Sequence, residues 1–398
     1  MEKPIERVLP GEILAADVVD GAGRLLFPRG AALTESALEA LRLRGVSGVE
    51  VKGDPMPLSP ELMAKAMERA QKFYAGHDMT MPPGPIMLGL RVEAEAQRME
   101  RGLPALLREC RALSSEALSP EDLPAFSLDC FEPPQLSAIA FQLNRELYSP
   151  EPSSQKVVEI IGRSPGLTAR LLRLVNSPLY GFRGKVETVS RAVSIVGLRE
   201  VGMLAASLIM VEQFGVIPSS VVDMRTFLEH CLACALASKA LARATGLVEE
   251  EQAFVAGLLH DIGRLYFFTA FPERSRYCMN SARRHGRPLL EEEALFFGVD
   301  HGAMGMRLLE GWGMPGMLGQ AAGYHHDPLR AHEPMLPGVV HLADAMVQAM
   351  GLGCSGECGP PPLRPGFVAL VPLGPDQMAD IAVGIGEQFD AIVTAFSE

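Results

Sequence analysis

The sequence predicts a mainly helical protein fronted by a small α+β module. Three observations predict it. From about residue 122 onward, apolar residues recur at three- and four-residue spacing with little interruption. The first 53 residues instead mix short β-type runs with turns and one helix. Hydrophobic residues make up 48% and charged residues 21% of the 398, a balance that fills a large core.

The elements follow in order. Ile13–Asp20 and Leu25–Phe27 are strand candidates joined by the turn Asp20-Gly21-Ala22-Gly23. Thr34 caps a helix with the apolar face Ala37, Leu38 and Leu41, ended by Gly45, and Val49–Val51 closes the 1–53 module. Pro55–Pro60 marks a boundary into a helical connector, 54–121, with helices at 60–75 and 88–117 around a His77–Pro85 loop. The main helical domain, 122–350, carries helices at 134–148, 155–163, 166–175, 187–196, 198–214, 223–245, 249–269, 271–285, 301–311, 315–324 and 336–351. A Gly/Pro-rich linker and a helix at 375–396 complete a 351–398 tail.

Charge and composition remove several function classes. A net charge of −12 repels phosphate backbones, and no basic patch offsets it, so nucleic acid is not an expected partner. The N-terminus lacks the apolar run of a signal peptide. Val201–Val211 is too short to span a bilayer, and Ala253–Ala270 carries His260, Asp261 and Arg264 at its centre. A cytoplasmic protein without a membrane partner is expected. Seven cysteines without a disulfide rhythm fit reduced thiols. Cys231-x-x-Cys234 lies in an apolar helix and reads as core packing rather than a zinc half-site. Cys354 and Cys358, in a loop, form a weak metal signal.

The chemistry concentrates at His260-Asp261. The stretch AFVAGLLHDIGRLYFF (253–268) is apolar on nearly every side, so it should be buried. A buried imidazole, carboxylate and guanidinium need partners, and a metal ion supplies one for mixed nitrogen and oxygen donors. His230 precedes the dipeptide on an apolar helix. His341 and Asp344 share a later helix face. His301, His325 and His326 lie between. Inward-facing ligands on several helices are how bundles build metal sites. His341 fits a supporting or packing role, whereas His285 and His332 look like surface residues.

The order His230, His260-Asp261, Asp344 resembles the metal signature of the HD superfamily of phosphohydrolases. The wider sequence resembles its signalling branch, the HDOD domain. The resemblance runs through SPGLTARLLRLVNSPLYGFRGKVETVSRAVSIVGLREV (164–201, with Asn176-Ser177), AFVAGLLHDIGRL (253–265), VDHGAMGMRLLEGWGMP (299–315), HHDP (325–328) and VVHLADAM (339–346). It covers about residues 122–350. The first 53 residues are similar to a small module that precedes HD-type output domains.

The resemblance implies a multi-helix HD-like bundle holding one or two divalent metals, iron or manganese first, then zinc or nickel. By it, Asp261 bridges two ions, His230, His260 and Asp344 hold one, and His301, His325 and His326 complete the second. Two ions would activate a bridging water and clamp phosphate oxygens. Arg264 would contact a phosphate bidentately or serve as a structural partner beside Asp261. Asp261 and Arg264 are thus the catalytic candidates. The sequence departs from the cyclic-dinucleotide-cleaving HD-GYP branch. Asp327-Pro328 follows His326 where that branch has Gly-Tyr-Pro, and Thr226 stands where a third metal would need an acid. Ser164 replaces the usual aspartate of the Asp-Pro block.

Two functions remain open. One is a bacterial signal-transduction protein whose HDOD domain binds signalling proteins or a ligand. The other is a metal-dependent phosphodiesterase acting on a nucleotide or cyclic dinucleotide.

Overall fold

The computed structural model describes scattered positions between 2 and 50, residues 59–103 except 76 and 81–82, residue 126, and residues 131–397 except 148, 178–179, 181, 183, 358, 361–362, 364 and 369–370. Thr34, Ala37, the Asp20–Gly23 turn, Cys358 and the 104–117 part of the connector lie outside the described residues. The chain divides into two compact units, Met1–Met63 and Ala64–Glu398.

The first unit holds two short antiparallel pairs. β1 (Glu2–Pro4) pairs with β4 (Gly48–Glu50), and β2 (Val18–Val19) pairs with β3 (Leu25–Phe27). Leu14, Leu33, Leu38, Leu41 and Val49 fill its own small core. The β1 strand was not expected: three residues ending in Pro4 show no alternation, and only the pairing with 48–50 reveals it.

The second unit is helical. Its helices are α1 (Pro60–Phe73), α2 (Gly84–Glu100), α3 (Ala138–Leu147), α4 (Ser154–Gly162), α5 (Pro165–Val175), α6 (Val189–Val196), α7 (Leu198–Glu212), α8 (Met224–Thr245), α9 (Glu250–Leu259), α10 (Ile262–Ala270), α11 (Pro272–His285), α12 (Leu289–Phe297), α13 (His301–Gly311), α14 (Gly316–Tyr324), α15 (Met335–Met350), α16 (Pro365–Val368) and α17 (Pro375–Ser397). No helix among the described residues is long and apolar enough to cross a membrane.

Local chemistry sets the helix starts. Ser153, Ser164, Thr188, Asp223 and Asp300 each accept a backbone N–H from the first turn of α4, α5, α6, α8 and α13, each cap contributing about 1 kcal/mol. Ser164, which stands where the family resemblance expects an aspartate, thus caps α5 itself. Asn176 ends α5 and pins the loop after it. Its Nδ2 donates to the Leu172 and Val186 carbonyls, and its Oδ1 accepts from Val186 N–H at 2.7 Å.

Two expected elements differ. The segment 249–269 is not one helix. α9 stops at Leu259, the chain turns through His260 and Asp261, and α10 starts at Ile262. Asp261 takes φ −96°, ψ 17°, and its carbonyl accepts from Arg264 and Leu265 N–H. The turn swings the two polar side chains together into the interior. The second difference is α12, whose LLEEEALFF sequence hides a buried face under three consecutive acids.

α8 is the central helix, packed against α9, α15 and α17, while α10 packs on α13 and α13 on α14. The connector is part of this packing. Arg91 of α2 stacks on Phe73, pairs with Glu95 at 3.2 Å and donates to the Gln348 carbonyl of α15 at 3.2 Å. Two glycines let the backbones meet. A Cβ on Gly257 would lie 2.6 Å from the Cys234 carbonyl oxygen of α8. One on Gly263 would lie 2.0 Å from that of His301 in α13. Gly263→Ala should therefore cost about 2–3 kcal/mol, seen as a lowered urea midpoint; an unchanged midpoint would show that α10 and α13 can separate freely.

Candidate metal centre

Four helices and one helix junction deliver the expected ligands. His230 comes from α8, His260 and Asp261 from the α9–α10 turn, His301 from the first residue of α13, His325 and His326 from the end of α14, and Asp344 from α15. Relative exposures are 1% for His230, 0% for His260, 2% for Asp261, 0% for His301, 1% for His325 and 2% for Asp344. His326 is partly buried.

These side chains form two adjoining groups. In the first, His230 Nε2 lies 3.3 Å from Asp344 Oδ1 and 3.7 Å from Asp261 Oδ2, and His260 Nε2 lies 3.4 Å from Asp261 Oδ2. In the second, His301 Nε2 lies 3.3 Å from His325 Nε2 and 3.0 Å from His326 Nε2. Asp261 spans them: Oδ2 faces the first group, and Oδ1 lies 3.2 Å from His301 Nε2.

The second ring nitrogens fix the orientation. His260 Nδ1 donates to the Gly257 carbonyl at 2.8 Å, and His325 Nδ1 to the Ala322 carbonyl at 2.7 Å. His301 Nδ1 donates to the Glu293 carboxylate. Each ring thus turns its Nε2 lone pair inward, the arrangement typical of metal-ligating histidines. His341 Nδ1 lies 2.7 Å from the His325 carbonyl, so it supports the strand of chain that carries a ligand.

The electrostatics suit a cation here. Burial, with His260 and His301 beside it, pushes His325 down to about 3. Burial and its histidine neighbours drive His326 well below the ordinary value, and burial lowers His260. Burial opposes the Asp344 charge, but the bond from His230 and the surrounding imidazoles hold that carboxyl well below its usual range. Asp261 is lowered too, with Arg264 the main force against burial. Burial and Arg264 work against the His301 charge, but the Glu293 and Asp261 carboxylates raise its pKa, and His325 and His326 turn their Nε2 atoms toward it at 3.3 and 3.0 Å. Tetrahedral metal–nitrogen bonds of about 2.0–2.1 Å imply donor–donor edges of about 3.3 Å, and His260 Nε2 is buried with no hydrogen-bond partner. The donor set therefore fits a divalent metal, and the groups His230/Cys234/His260/Asp344, His301/His325/His326 and His260/Asp261/His325 could each hold one.

Arg264 is 1% exposed and pairs with Glu293 at 3.1 Å, Asp261 at 3.4 Å and Glu357 at 2.7 Å. This geometry favours the structural reading of Arg264 over a phosphate contact. Burial opposes its charge, yet Asp261, Glu293 and Glu357 raise its pKa above the usual value. The linker crosses the site here. Gly353 (φ +70°) presses on α8 so closely that a Cβ would lie 2.2 Å from His230 N, and Cys354 N–H donates to the Thr226 carbonyl. Glu357 also accepts from Leu289 N–H at 3.3 Å.

Several participants were not foreseen. Cys234 is buried as its apolar setting implies, but its sulfur lies beside His230 and Asp344. Its position four residues after His230 was the available signal. Gln348, four after Asp344, donates to both carboxylate oxygens at 2.9 and 3.1 Å. Glu293 lies between Leu289 and Phe297 at four-residue spacing, an acid on an apolar face. Glu357 sits in an aperiodic loop, with nothing local to mark it.

Residues 134–328 match the family described as the HDOD domain. Over those residues the chain is an HDOD domain protein. The match stops short of Asp344, so α15 completes the cluster from beyond it. An HDOD domain protein of unknown function from Geobacter sulfurreducens is 24% identical, with a TM-score of 0.55, over 66% of this chain and 93% of its own. A candidate signal transduction protein from Marinobacter aquaeolei VT8 is 19% identical, with a TM-score of 0.54, over 77% and 67%. Both show the same fold. An uncharacterized protein of Treponema pallidum (strain Nichols) is 26% identical over 215 residues, 53% of this chain and 41% of that protein. The chain thus spans about two fifths of that relative's length.

Removing the central cation should be costly. Arg264→Ala leaves buried carboxylates uncompensated and should lose about 3–5 kcal/mol in urea unfolding, with part restored by adding Glu357→Gln; an unaltered midpoint would show that the carboxylates need no partner.

Acid should also weaken the fold. Burial works against the Glu293 charge, but His301 and Arg264 hold the carboxyl down at about 2. The unfolded chain, with a carboxyl near about 4.3, then binds the proton first. This contribution is full above that pH and is lost as pH falls toward 2. Glu357, raised by burial, slopes the opposite way. Metal-free protein should lose stability below about pH 4, and Glu293→Gln should flatten that loss; equal slopes would exclude Glu293 as a source.

Proposed function

We propose that this chain is a bacterial signal-transduction protein whose HDOD domain carries a divalent metal in a closed interior centre. It acts by binding signalling proteins, or a nucleotide-type ligand, rather than by turnover. The observation that supports this reading is enclosure. The ligands of the first group are at most 2% exposed, and the linker segment Gly353–Glu357 lies against the helices that bear His230 and Arg264. Hydrolysis needs an open coordination position for water and substrate. Arg264, the natural phosphate contact, is taken up by three carboxylates.

One observation favours the alternative, a metal-dependent phosphodiesterase for a nucleotide or cyclic dinucleotide. Asp261 directs one oxygen to each donor group, the position of a carboxylate bridging two ions in metal-assisted hydrolysis.

The test measures metal and turnover together. The purified chain, reconstituted anaerobically, should hold roughly one equivalent or more of divalent metal, and His260→Ala/Asp261→Ala should hold far less. No hydrolysis of cyclic dinucleotides or nucleotides above the double variant is expected. Hydrolysis that disappears in the double variant would replace the signalling reading with the enzymatic one. Equal, negligible metal in both proteins would remove the metal from either.

A further inference from the structure

We propose that Cys234 is a metal ligand, closing the His230/His260/Asp344 group into a four-coordinate centre of the zinc type. The inference rests on the metal-binding reading above and names the donor that selects the ion.

Cys234 lies one helical turn after His230 on α8, so both side chains leave the same face. Its Sγ is 3.6 Å from His230 Nε2 and 3.9 Å from Asp344 Oδ1. His230 Nε2 and His260 Nε2 stand 3.3 and 4.0 Å from the same Asp344 oxygen. All four donor atoms fall within 4.8 Å of one another. A tetrahedral ion with metal–nitrogen bonds near 2.0–2.1 Å and a metal–sulfur bond near 2.3 Å needs donor–donor edges of about 3.3–3.7 Å. These four edges run from 3.3 to 4.0 Å, so the donors need only draw inward to complete the shell.

A second observation points to the same place. His260 Nε2 is fully buried, faces this group and has no hydrogen-bond partner. Its ring is locked by the Nδ1 bond to Gly257, so it cannot turn to find one. Cys231 provides the contrast. It is equally buried on α8 but supplies no atom to the cluster.

On binding, the S–H bond breaks, the proton leaves to solvent, and a sulfur lone pair forms the bond to the ion. No electron is transferred. A thiolate with two imidazoles and a carboxylate favours zinc over manganese, which reverses the order expected from the His/Asp pattern. Four protein donors, with Asp261 Oδ2 standing 3.4 and 3.7 Å from the two imidazole nitrogens, also leave this ion no open position, the condition of a structural rather than a hydrolytic site.

Cobalt(II) is the probe, added to the full metal-free chain. Wild type and Cys231→Ser should show sulfur-to-cobalt charge transfer in the near ultraviolet. Cys234→Ser should lose that band, keep the visible absorption of cobalt held by His and Asp, and bind zinc at least about tenfold more weakly in chelator competition. The band persisting in Cys234→Ser, or unchanged zinc affinity, would overturn the proposal and leave the metal site standing. Wild type that takes up no cobalt and no zinc would overturn the metal-binding reading itself. If Cys234→Ser does not fold, a Cys231→Ser/Cys354→Ser variant decides: a retained band supports Cys234, and bound cobalt without the band refutes it.

Discussion

The Asp261 carboxylate lies buried among His230, His260, His301 and Arg264, and its charge sets the terms for the surrounding helices. An isolated carboxylate in an apolar interior costs many kcal/mol. Here the cost is met by convergence: α8, α13, α14 and α15 each bring a polar donor to one point. Arg264 balances Asp261 on one side but is itself held by Glu293 and Glu357. The compensation therefore spreads outward in layers. Close glycine contacts at Gly257 and Gly263 are what let the backbones come near enough for the donors to meet.

This arrangement separates two properties that metal sites often combine. The donor geometry suits ion binding, while the burial and the linker suit retention of the ion rather than exchange of substrate. The connector joins the same system, because Arg91 holds the carbonyl of Gln348 while the Gln348 side chain holds Asp344. The connector and Asp344 are thus two hydrogen bonds apart.

Much of this was legible in the sequence because helical periodicity and burial go together. Apart from the break within 249–269 and the unexpected α12, the helices from 138 to 350 fall close to their expected limits, and His230, His260, Asp261, His301, His325, His326 and Asp344 do converge. What escaped has physical causes. The break at His260-Asp261 is invisible to periodicity, since both residues sit in an unbroken apolar run and only tertiary demand turns the chain. α12 was masked because its acids look solvated until Arg264 is placed beside them. Cys234 looked apolar because a thiol is apolar until a cation is near. Glu357 belongs to a loop whose contacts are all long-range, and no local pattern encodes those.

The linker contact at Gly353 bears on timing. The segment lies more than a hundred residues after His230, so during synthesis it is the last piece of the centre to appear. Until it folds across α8, the donor pocket is open on that side. An ion held there as proposed would then enter or leave only as the segment lifts, a local opening with its own free energy. Occupancy would then record the ions present when the chain was made, more than those around it later.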